Sequence, residues 1–220
     1  NAIPTKVKFG CEVKNFDAAQ YIDRKELRKY DKYSHFAIAS ATQAIEDSGL
    51  DFEKEDLNRI GVILGFGMGG VDSFQEGMDT LNEQMGSGQD LKVTPFFVPR
   101  ILGSIAAGLI SIKYKLKGPN YATSSACASS THSIIDAINL IRLGKANVIV
   151  TGGAEAALGK CGIIGFGVMH ALSTRNESPE TASRPMSASR DGFVLGEGGG
   201  VLILEEYEHA KARGAKIYAE

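Results

Sequence analysis

Hydrophobic positions at helical spacing recur along this 220-residue chain. In residues 34–48, "SHFAIASATQAIEDS", apolar side chains fall on one face of a helix, and Gly49 supplies a left-handed stop. The same pattern predicts helices over residues 71–85 and 128–143, a further helix after Pro99, and a short one over residues 207–214.

Short apolar runs rich in β-branched residues predict buried strands between the helices. They are "RIGVILG" (59–65), "YATSS" (121–125), "ANVIVTGGAE" (146–155) and the apolar part of "GEGGGVLILEE" (196–206). A strand, a helix and a strand in close succession indicate a right-handed βαβ unit with a parallel sheet. We therefore predict an α/β fold.

Two other stretches complete the picture. Residues 172–193 are polar and rich in turn formers, and a loop of that length is usually functional or held by local hydrogen bonds. The closing "AKIYAE" is typical of the start of a strand, and the chain begins at Asn1 rather than Met. We expect one domain over residues 1–220, without internal repeats, that is part of a longer protein.

Composition narrows the function classes. Hydrophobic residues make up 43% and charged residues 23%, as in ordinary globular proteins, and the net charge of −2 gives no global field for nucleic acid or a membrane surface. No apolar run approaches the roughly 20 residues of a membrane span. The three cysteines are widely spaced without a CxxC pair, so we expect a reducing, cytoplasmic compartment and neither disulfides nor zinc.

The segment "SSACASST" (124–131) carries the candidate chemistry. It places Cys127 at the turn between a predicted strand and a predicted helix, among side chains too small to pack against it. A helix N-terminus favours the nucleophilic thiolate, and the small neighbours leave room for a carbonyl group beside backbone N–H donors. The alternative at this point is a small buried cysteine that only fills space in the turn.

The histidines do not supply an evident partner for this thiol. His132 follows Cys127 by five residues, which at 100° per residue turns it away from the cysteine. His35 and His209 lie in helices where a structural or solvated role is expected. His170 could approach a site in space, although its spacing alone does not show this. We expect the missing base or proton donor to lie beyond Glu220.

A second motif, "GFGMGG" (65–70), fits the G-x-G-x-x-G pattern of dinucleotide-binding proteins because it follows a strand and precedes a helix. The acidic residue expected about 20 positions later, at the end of a second strand, is absent. Because the glycine pattern itself is present, a dinucleotide-binding module remains an alternative despite this missing residue.

The ordered motifs "SSACASS", "GKANVIVTGGAEAAL", "ALSTRN", "ASRP" and "RDGFVLGEG" closely resemble the β-ketoacyl-acyl-carrier-protein synthases. These are the condensing enzymes of fatty-acid synthesis, and the resemblance is closest to the type II, long-chain-elongating kind. It runs over almost the whole chain. It implies the N-terminal half of a thiolase-like fold, incomplete at both ends, in a homodimer that needs no cofactor or metal.

The resemblance also implies roles for individual residues. Cys127 matches the nucleophile that accepts the acyl chain from acyl carrier protein, with its own N–H as one oxyanion donor. Met68 and Phe166 match positions that line the acyl tunnel, although Met68 could equally be a packing residue. A basic patch matches the site at which the family docks its acidic carrier, with a solvated helix face as the alternative; it comprises Lys25, Arg28 and Lys29.

Departures from the family pattern limit what is expected. His170 stands where the family commonly has arginine, which weakens one carrier contact, and Met186 replaces a usual tryptophan. The two catalytic histidines, the catalytic lysine and the second oxyanion donor belong to the family's C-terminal half, so this chain alone should not complete the condensation. A polyketide ketosynthase would share these motifs and remains an alternative. Cys127 argues against a non-catalytic chain-length partner, because such proteins lack the nucleophile.

Overall fold

A four-stranded sheet forms the centre of the computed structural model, which describes residues 5–220. The first four residues of the predicted 1–220 domain lie outside that description. The strands stand in the order β2-β1-β3-β4, with β1 parallel to both of its neighbours and β4 antiparallel to β3. They are β1 (Ile60–Gly65), β2 (Asn120–Thr123), β3 (Val148–Ala156) and β4 (Glu197–Glu205).

Eight α-helices accompany the sheet in the described part of the chain. They are α1 (Arg24–Leu27), α2 (Lys32–Ser48), α3 (Val71–Gln84), α4 (Phe97–Ile101), α5 (Ile105–Tyr114), α6 (Ser129–Arg142), α7 (Lys160–Val168) and α8 (Tyr207–Ala212). Asp31 begins α2 by accepting a hydrogen bond from the Tyr33 N–H, and Gly49 ends it at a φ of 64°.

Helices cover both faces of the sheet, which explains why the central strands are continuous apolar runs. Val62 and Leu64 of β1 pack in the larger core with α2 and α5, whereas Ile63 between them packs with Ala137 of α6. All six residues of β1 are buried. The predicted α/β class is confirmed, and the predicted parallel pairing holds for β2, β1 and β3 but not for β4.

The segment after Pro99 differs from the single helix that was predicted. It forms two helices, α4 and α5, because Leu102 between them is extended, with a ψ of 117°. Pro99 itself lies within α4, at its third residue, where few intrahelical N–H bonds are lost. The carbonyl of Leu102 instead accepts a hydrogen bond from the buried Tyr33 hydroxyl at 2.6 Å.

The predictions for the long polar loop and for the closing segment have opposite outcomes. The long loop 172–193 is held by local hydrogen bonds, as predicted: the Ser173 hydroxyl donates to Asp191 at 2.8 Å, and Arg175 donates to the Ser189 carbonyl at 2.9 Å. The strand predicted for "AKIYAE" is wrong, since residues 215–220 adopt no regular structure. There the Tyr218 hydroxyl bonds the Asp47 carboxylate, so the segment is fixed through side chains rather than by strand pairing.

Candidate active site

Cys127 lies in the turn between β2 and α6, as predicted. Its side chain is exposed, and both of its neighbours in the chain, Ala126 and Ala128, are exposed alanines. A cysteine that only filled space in the turn would be buried. Within the described residues, Cys127 is therefore not packed into the turn, and its thiol is open to a reactant.

The turn before the thiol has an unusual backbone. Ala126 adopts a φ of 53°, a left-handed conformation that costs a non-glycine residue roughly 1–2 kcal/mol. Ser129, only 2% exposed, holds the turn together: its hydroxyl donates to the Ala126 carbonyl at 2.6 Å and accepts from the Ser125 N–H at 2.9 Å. The tight turn thus presents Cys127 ahead of the first turn of α6.

Two glycines allow α6 to start directly against the strand ends. A Cβ atom at Gly65 would lie 2.2 Å from the Ser129 carbonyl carbon, and one at Gly153 would lie 2.2 Å from the Ser130 hydroxyl. A side chain at Gly65 would displace the start of α6, and one at Gly153 would displace the Ser130 hydroxyl and the Gly65 carbonyl. Gly65 at the end of β1 and Gly153 within β3 therefore help to fix where Cys127 stands.

His132 reaches back to the cysteine turn, a contact that sequence reasoning missed. Its Nδ1 atom lies 2.6 Å from the Ser125 hydroxyl. An angle of 100° per residue applies only inside a helix, and α6 begins at Ser129, two residues after Cys127. His132 therefore lies in the first turn of α6, next to the loop. No hydrogen bond joins a histidine to the Cys127 thiol within residues 5–220.

The other histidines have separate surroundings. His35 bonds the Leu27 carbonyl at 3.1 Å, and burial lowers the pKa of its imidazole. His209 lies between Glu205 and Glu55, at 2.6 Å and 2.9 Å, in a network that ties α8 to the sheet. These two contacts confirm the predicted structural roles. His170 is exposed.

The GFGMGG loop is anchored by a carboxylate. Glu155, near the end of β3, accepts hydrogen bonds from the N–H groups of Gly67, Met68 and Gly69 at 2.7, 2.8 and 3.0 Å. Burial raises the pKa of Glu155, while these three donors act in the opposite direction. The amide groups that a dinucleotide phosphate would need are therefore already occupied, and the dinucleotide prediction loses its basis.

A cleft of about 310 Å³ opens beside this loop. Its lining includes Met68, Ser104 and Ser124, so it runs up to the segment that carries Cys127. Met68 is 40% exposed. The structure thus brings one of the two predicted tunnel residues to the edge of the cysteine turn.

Phe166 lies outside the lining of that cleft. It packs in a separate apolar cluster with Leu172 and Leu195, and its ring meets Phe193 edge to face with 5.5 Å between centroids. The structure therefore does not bring Phe166 and Met68 together in one cavity, and the tunnel role of Phe166 stays a prediction.

The three predicted carrier-docking residues differ in how free their charges are. Lys25 in α1 and Arg28 at its end are exposed, and neither takes part in the salt bridges found among residues 5–220. Lys29 is paired with Glu26 at 2.6 Å and lies over the Phe96 ring. A depression of about 470 Å³ lined by residues 19–24 adjoins this patch.

Comparison with known proteins decides the family. A family model for the N-terminal domain of β-ketoacyl synthases matches residues 2–210. The chain belongs to the β-ketoacyl synthase family. A curated relative, 3-oxoacyl-[acyl-carrier-protein] synthase 2 of Vibrio cholerae, is 49% identical over 97% of this chain and 50% of its own length. This β-ketoacyl synthase chain thus spans about half the length of the curated relatives it matches.

Solved β-ketoacyl synthases share the fold. The crystal structure of a β-ketoacyl synthase from Burkholderia phymatum matches 98% of this chain and 52% of its own, with a TM-score of 0.83 and 34% identity. A type II polyketide ketosynthase, solved in complex with its acyl-carrier protein, matches 96% of this chain and 56% of its own with a TM-score of 0.76 and 24% identity. The predicted thiolase-like α/β fold is confirmed.

Neither a membrane-spanning helix nor a metal site is found in the part of the β-ketoacyl synthase chain that the structure describes. Among residues 5–220, none of the helices combines the length and the apolar character that a membrane span requires. Within the same residues, no group of three or more His, Cys, Asp or Glu side chains is arranged to hold a metal ion.

Proposed function

We propose that this chain carries the acyl-accepting site of a 3-oxoacyl-acyl-carrier-protein synthase of the type II, long-chain kind. The observation that carries the proposal is the exposed Cys127 in the left-handed turn between β2 and α6. The similarity to the Vibrio cholerae enzyme supports it, because the match runs over 97% of this chain and includes the cysteine turn.

The first chemical step is transfer of the acyl group to the protein. The Cys127 thiolate attacks the thioester carbonyl of acyl carrier protein, and the carbonyl oxygen becomes an oxyanion. The N–H groups of Ala128 and Ser129 are used inside the turn, where they donate to the Ser125 and Ala126 carbonyls. We assign the N–H of Cys127 as an oxyanion donor. The tetrahedral intermediate then collapses and releases the carrier thiolate, which takes up a proton. An acyl thioester remains on Cys127.

The second step is the condensation. Malonyl carrier loses CO₂, the resulting carbanion attacks the acyl thioester, and 3-oxoacyl carrier forms as the Cys127 thiolate is restored. The enolate oxygen formed by decarboxylation needs positioned donors. The family resemblance assigns these to two histidines outside this chain, and the contacts of His35, His132 and His209 support the assignment because each is engaged elsewhere.

The acyl chain would enter the cleft beside Met68. This flexible, apolar side chain could yield to a growing chain, and its place in the anchored loop, in the same cleft lining as Ser124, supports a role close to the thioester. Phe166 would form a more distant wall of the path, together with Phe193.

The partner would be acyl carrier protein, docked on α1. The free charges of Lys25 and Arg28 suit an acidic partner, and the polyketide ketosynthase of similar fold was solved with its acyl-carrier protein bound. We further propose a homodimer, on the resemblance alone, and a cytoplasmic location, which the free thiols of all three cysteines support.

A polyketide ketosynthase is the second candidate. The polyketide enzyme of similar fold is 24% identical to this chain, against 49% for the fatty-acid enzyme of Vibrio cholerae. The larger identity favours the fatty-acid substrate class.

Mass spectrometry of the protein after incubation with an acyl carrier substrate tests the assignment. We expect one acyl adduct, on the peptide that contains Cys127, and none in a Cys127→Ser variant. Cys161→Ser is the matched control and should be acylated like the wild type. An adduct on Cys11 or Cys161 would overturn the proposal.

A further inference from the structure

A single carboxylate fixes the loop that forms one wall of the cleft. The three N–H groups bonded by Glu155 are consecutive in the chain, and both carboxylate oxygens are used: Oε2 accepts from Gly67 and Met68, and Oε1 accepts from Gly69. Bonds from backbone donors to an ionised acceptor are among the stronger hydrogen bonds in proteins. The loop therefore has little freedom to shift while this carboxylate is in place.

The same loop stands against the cysteine turn. A Cβ atom at Gly67 would lie 2.8 Å from the Glu155 carboxylate and 3.6 Å from the Ala126 carbonyl oxygen. The loop backbone at Gly67 therefore lies close both to the Glu155 carboxylate and to the left-handed residue before Cys127. Met68, the next residue, forms part of the cleft lining.

Glu155 also has a firm base. It lies within β3, where it is paired with Gly198 of β4, so the carboxylate is held by the sheet rather than by another loop. The mechanism proposed above leaves this half-buried acidic residue without a role, and nothing about sheet packing requires a carboxylate there.

We propose that Glu155 is a positioning residue that sets the place of Met68 in the cleft and thereby the acyl chain length that Cys127 accepts. The inference rests on the proposed function, because it requires acylation of Cys127. Loss of the carboxylate frees residues 67–69, and Met68 then discriminates less between chains that do and do not fit beside it.

The test compares acylation of Cys127 by octanoyl and palmitoyl carrier in the intact protein. Glu155→Gln keeps the shape but places an NH₂ group where an acceptor oxygen stood, so one set of loop donors is left unpaired. Losing a hydrogen bond to a charged group should reduce the preference between the two chain lengths by about tenfold. The matched control is Glu197→Gln, which removes another carboxylate, 1% exposed in its side chain, that bonds a backbone N–H and Lys32.

A double-mutant cycle with Met68→Ala separates positioning from general loosening. In the Met68→Ala background, where the discriminating side chain is gone, Glu155→Gln should add no further change in the chain-length ratio. An unchanged ratio in the Glu155→Gln single variant, or an equal change in both backgrounds, would overturn the inference.

If Glu155→Gln does not fold, hydrogen exchange of the wild-type protein tests the inference instead. The amides of residues 67–69 should exchange at least tenfold more slowly than those of the exposed loop 86–90, although Gly67 and Met68 are themselves exposed. Equal exchange rates would overturn the inference. Failure of the wild type to acylate Cys127 at all would instead refute the proposed function.

Discussion

At the scale of single residues, Ala126 concentrates the backbone strain of the site. Its φ of 53° is favourable for glycine and unfavourable for alanine, whereas Ala128, two residues later, has an ordinary φ of −89°. Both side chains are exposed, so a change to glycine at either position alters little besides the backbone preference.

We therefore predict different results for two glycine substitutions that flank the cysteine. Ala126→Gly relieves the left-handed strain and should raise the free energy of unfolding by up to about 1 kcal/mol. Ala128→Gly, the matched control, relieves no such strain, and because Ala128 is the N-cap of α6, where glycine is tolerated, it should change this free energy by less than about 0.5 kcal/mol. Urea unfolding of the two variants measures both; equal changes would show that Ala126 is not strained.

Individual residues also show what the sequence could and could not predict. Cys127 was recognisable because a strand pattern, small residues and a helix pattern meet there. Glu155 was missed as a site residue, although one acidic residue in the apolar run "VIVTGGAEAA" was a usable signal. Its partners are backbone N–H groups 86–88 positions away, and backbone donors leave no trace in residue type.

At the scale of elements, the predictions succeeded where one element's own pattern decides its structure. The apolar runs of β1 and β3 and the helical spacing of α2 and α6 were sufficient. The antiparallel direction of β4 was not predicted, because it depends on how residues 157–196 return the chain to the sheet. The break between α4 and α5 was not predicted either, because it involves a hydrogen bond from the hydroxyl of the distant Tyr33 to the Leu102 carbonyl.

The attachment of α8 to β4 depends on one carboxylate and gives a pH-dependent prediction. Arg213 donates to both oxygens of Glu205 at 2.7 Å, and His209 lies 2.6 Å away. Burial by itself would raise the pKa of Glu205, but the hydrogen bonds from Arg213 and His209 outweigh it and hold the pKa below the ordinary 4.5. A depressed carboxyl pKa contributes stability above pH 4.5 that is lost as the pH falls through the folded value.

Glu205→Gln should accordingly lower the free energy of unfolding at pH 7 by about 1–3 kcal/mol, because Arg213 loses a charged, half-buried partner. The difference from wild type should shrink as the pH falls from 4.5, where the carboxyl of the unfolded chain takes up a proton, to the lower pKa that Glu205 has in the folded protein. Denaturant unfolding at several pH values measures this. Glu208→Gln, whose exposed pair with Lys211 spans 3.4 Å, should change stability by less than about 0.5 kcal/mol. A pH-independent difference would contradict the prediction.

The short helix α1 offers a second prediction at this scale, on the docking of the carrier. Removing a free charge at a protein interface weakens binding of an acidic partner, so Lys25→Ala and Arg28→Ala should each reduce affinity for acyl carrier protein by about two- to fivefold at low salt. Lys29→Ala should have a smaller effect because Glu26 already neutralises that charge. Lys145→Ala, an exposed lysine after α6, is the control. Calorimetry would contradict the docking assignment if all four variants bound alike.

At the scale of the whole molecule, the described chain holds the proposed nucleophile, its turn and a cleft, whereas the donors proposed for decarboxylation belong to the other half of the family's fold. His35 and His209 are engaged with Leu27 and with two glutamates, and His132 is engaged with Ser125. The chain spans half the length of its curated relatives, and the resemblance assigns the two catalytic histidines to the other half. Acylation and condensation should therefore separate experimentally in the 220-residue chain.

We predict that this chain by itself forms an acyl thioester on Cys127 but does not release 3-oxoacyl carrier when malonyl carrier is added. The thioester forms because Cys127, Ser129 and the anchored 67–69 loop all belong to the chain. Condensation stops because the enolate oxygen meets no positioned donor, and losing even one such donor costs about 10²–10³ in rate. Mass spectrometry of the protein and of the carrier follows both steps; multiple turnovers of product without another chain would contradict the prediction.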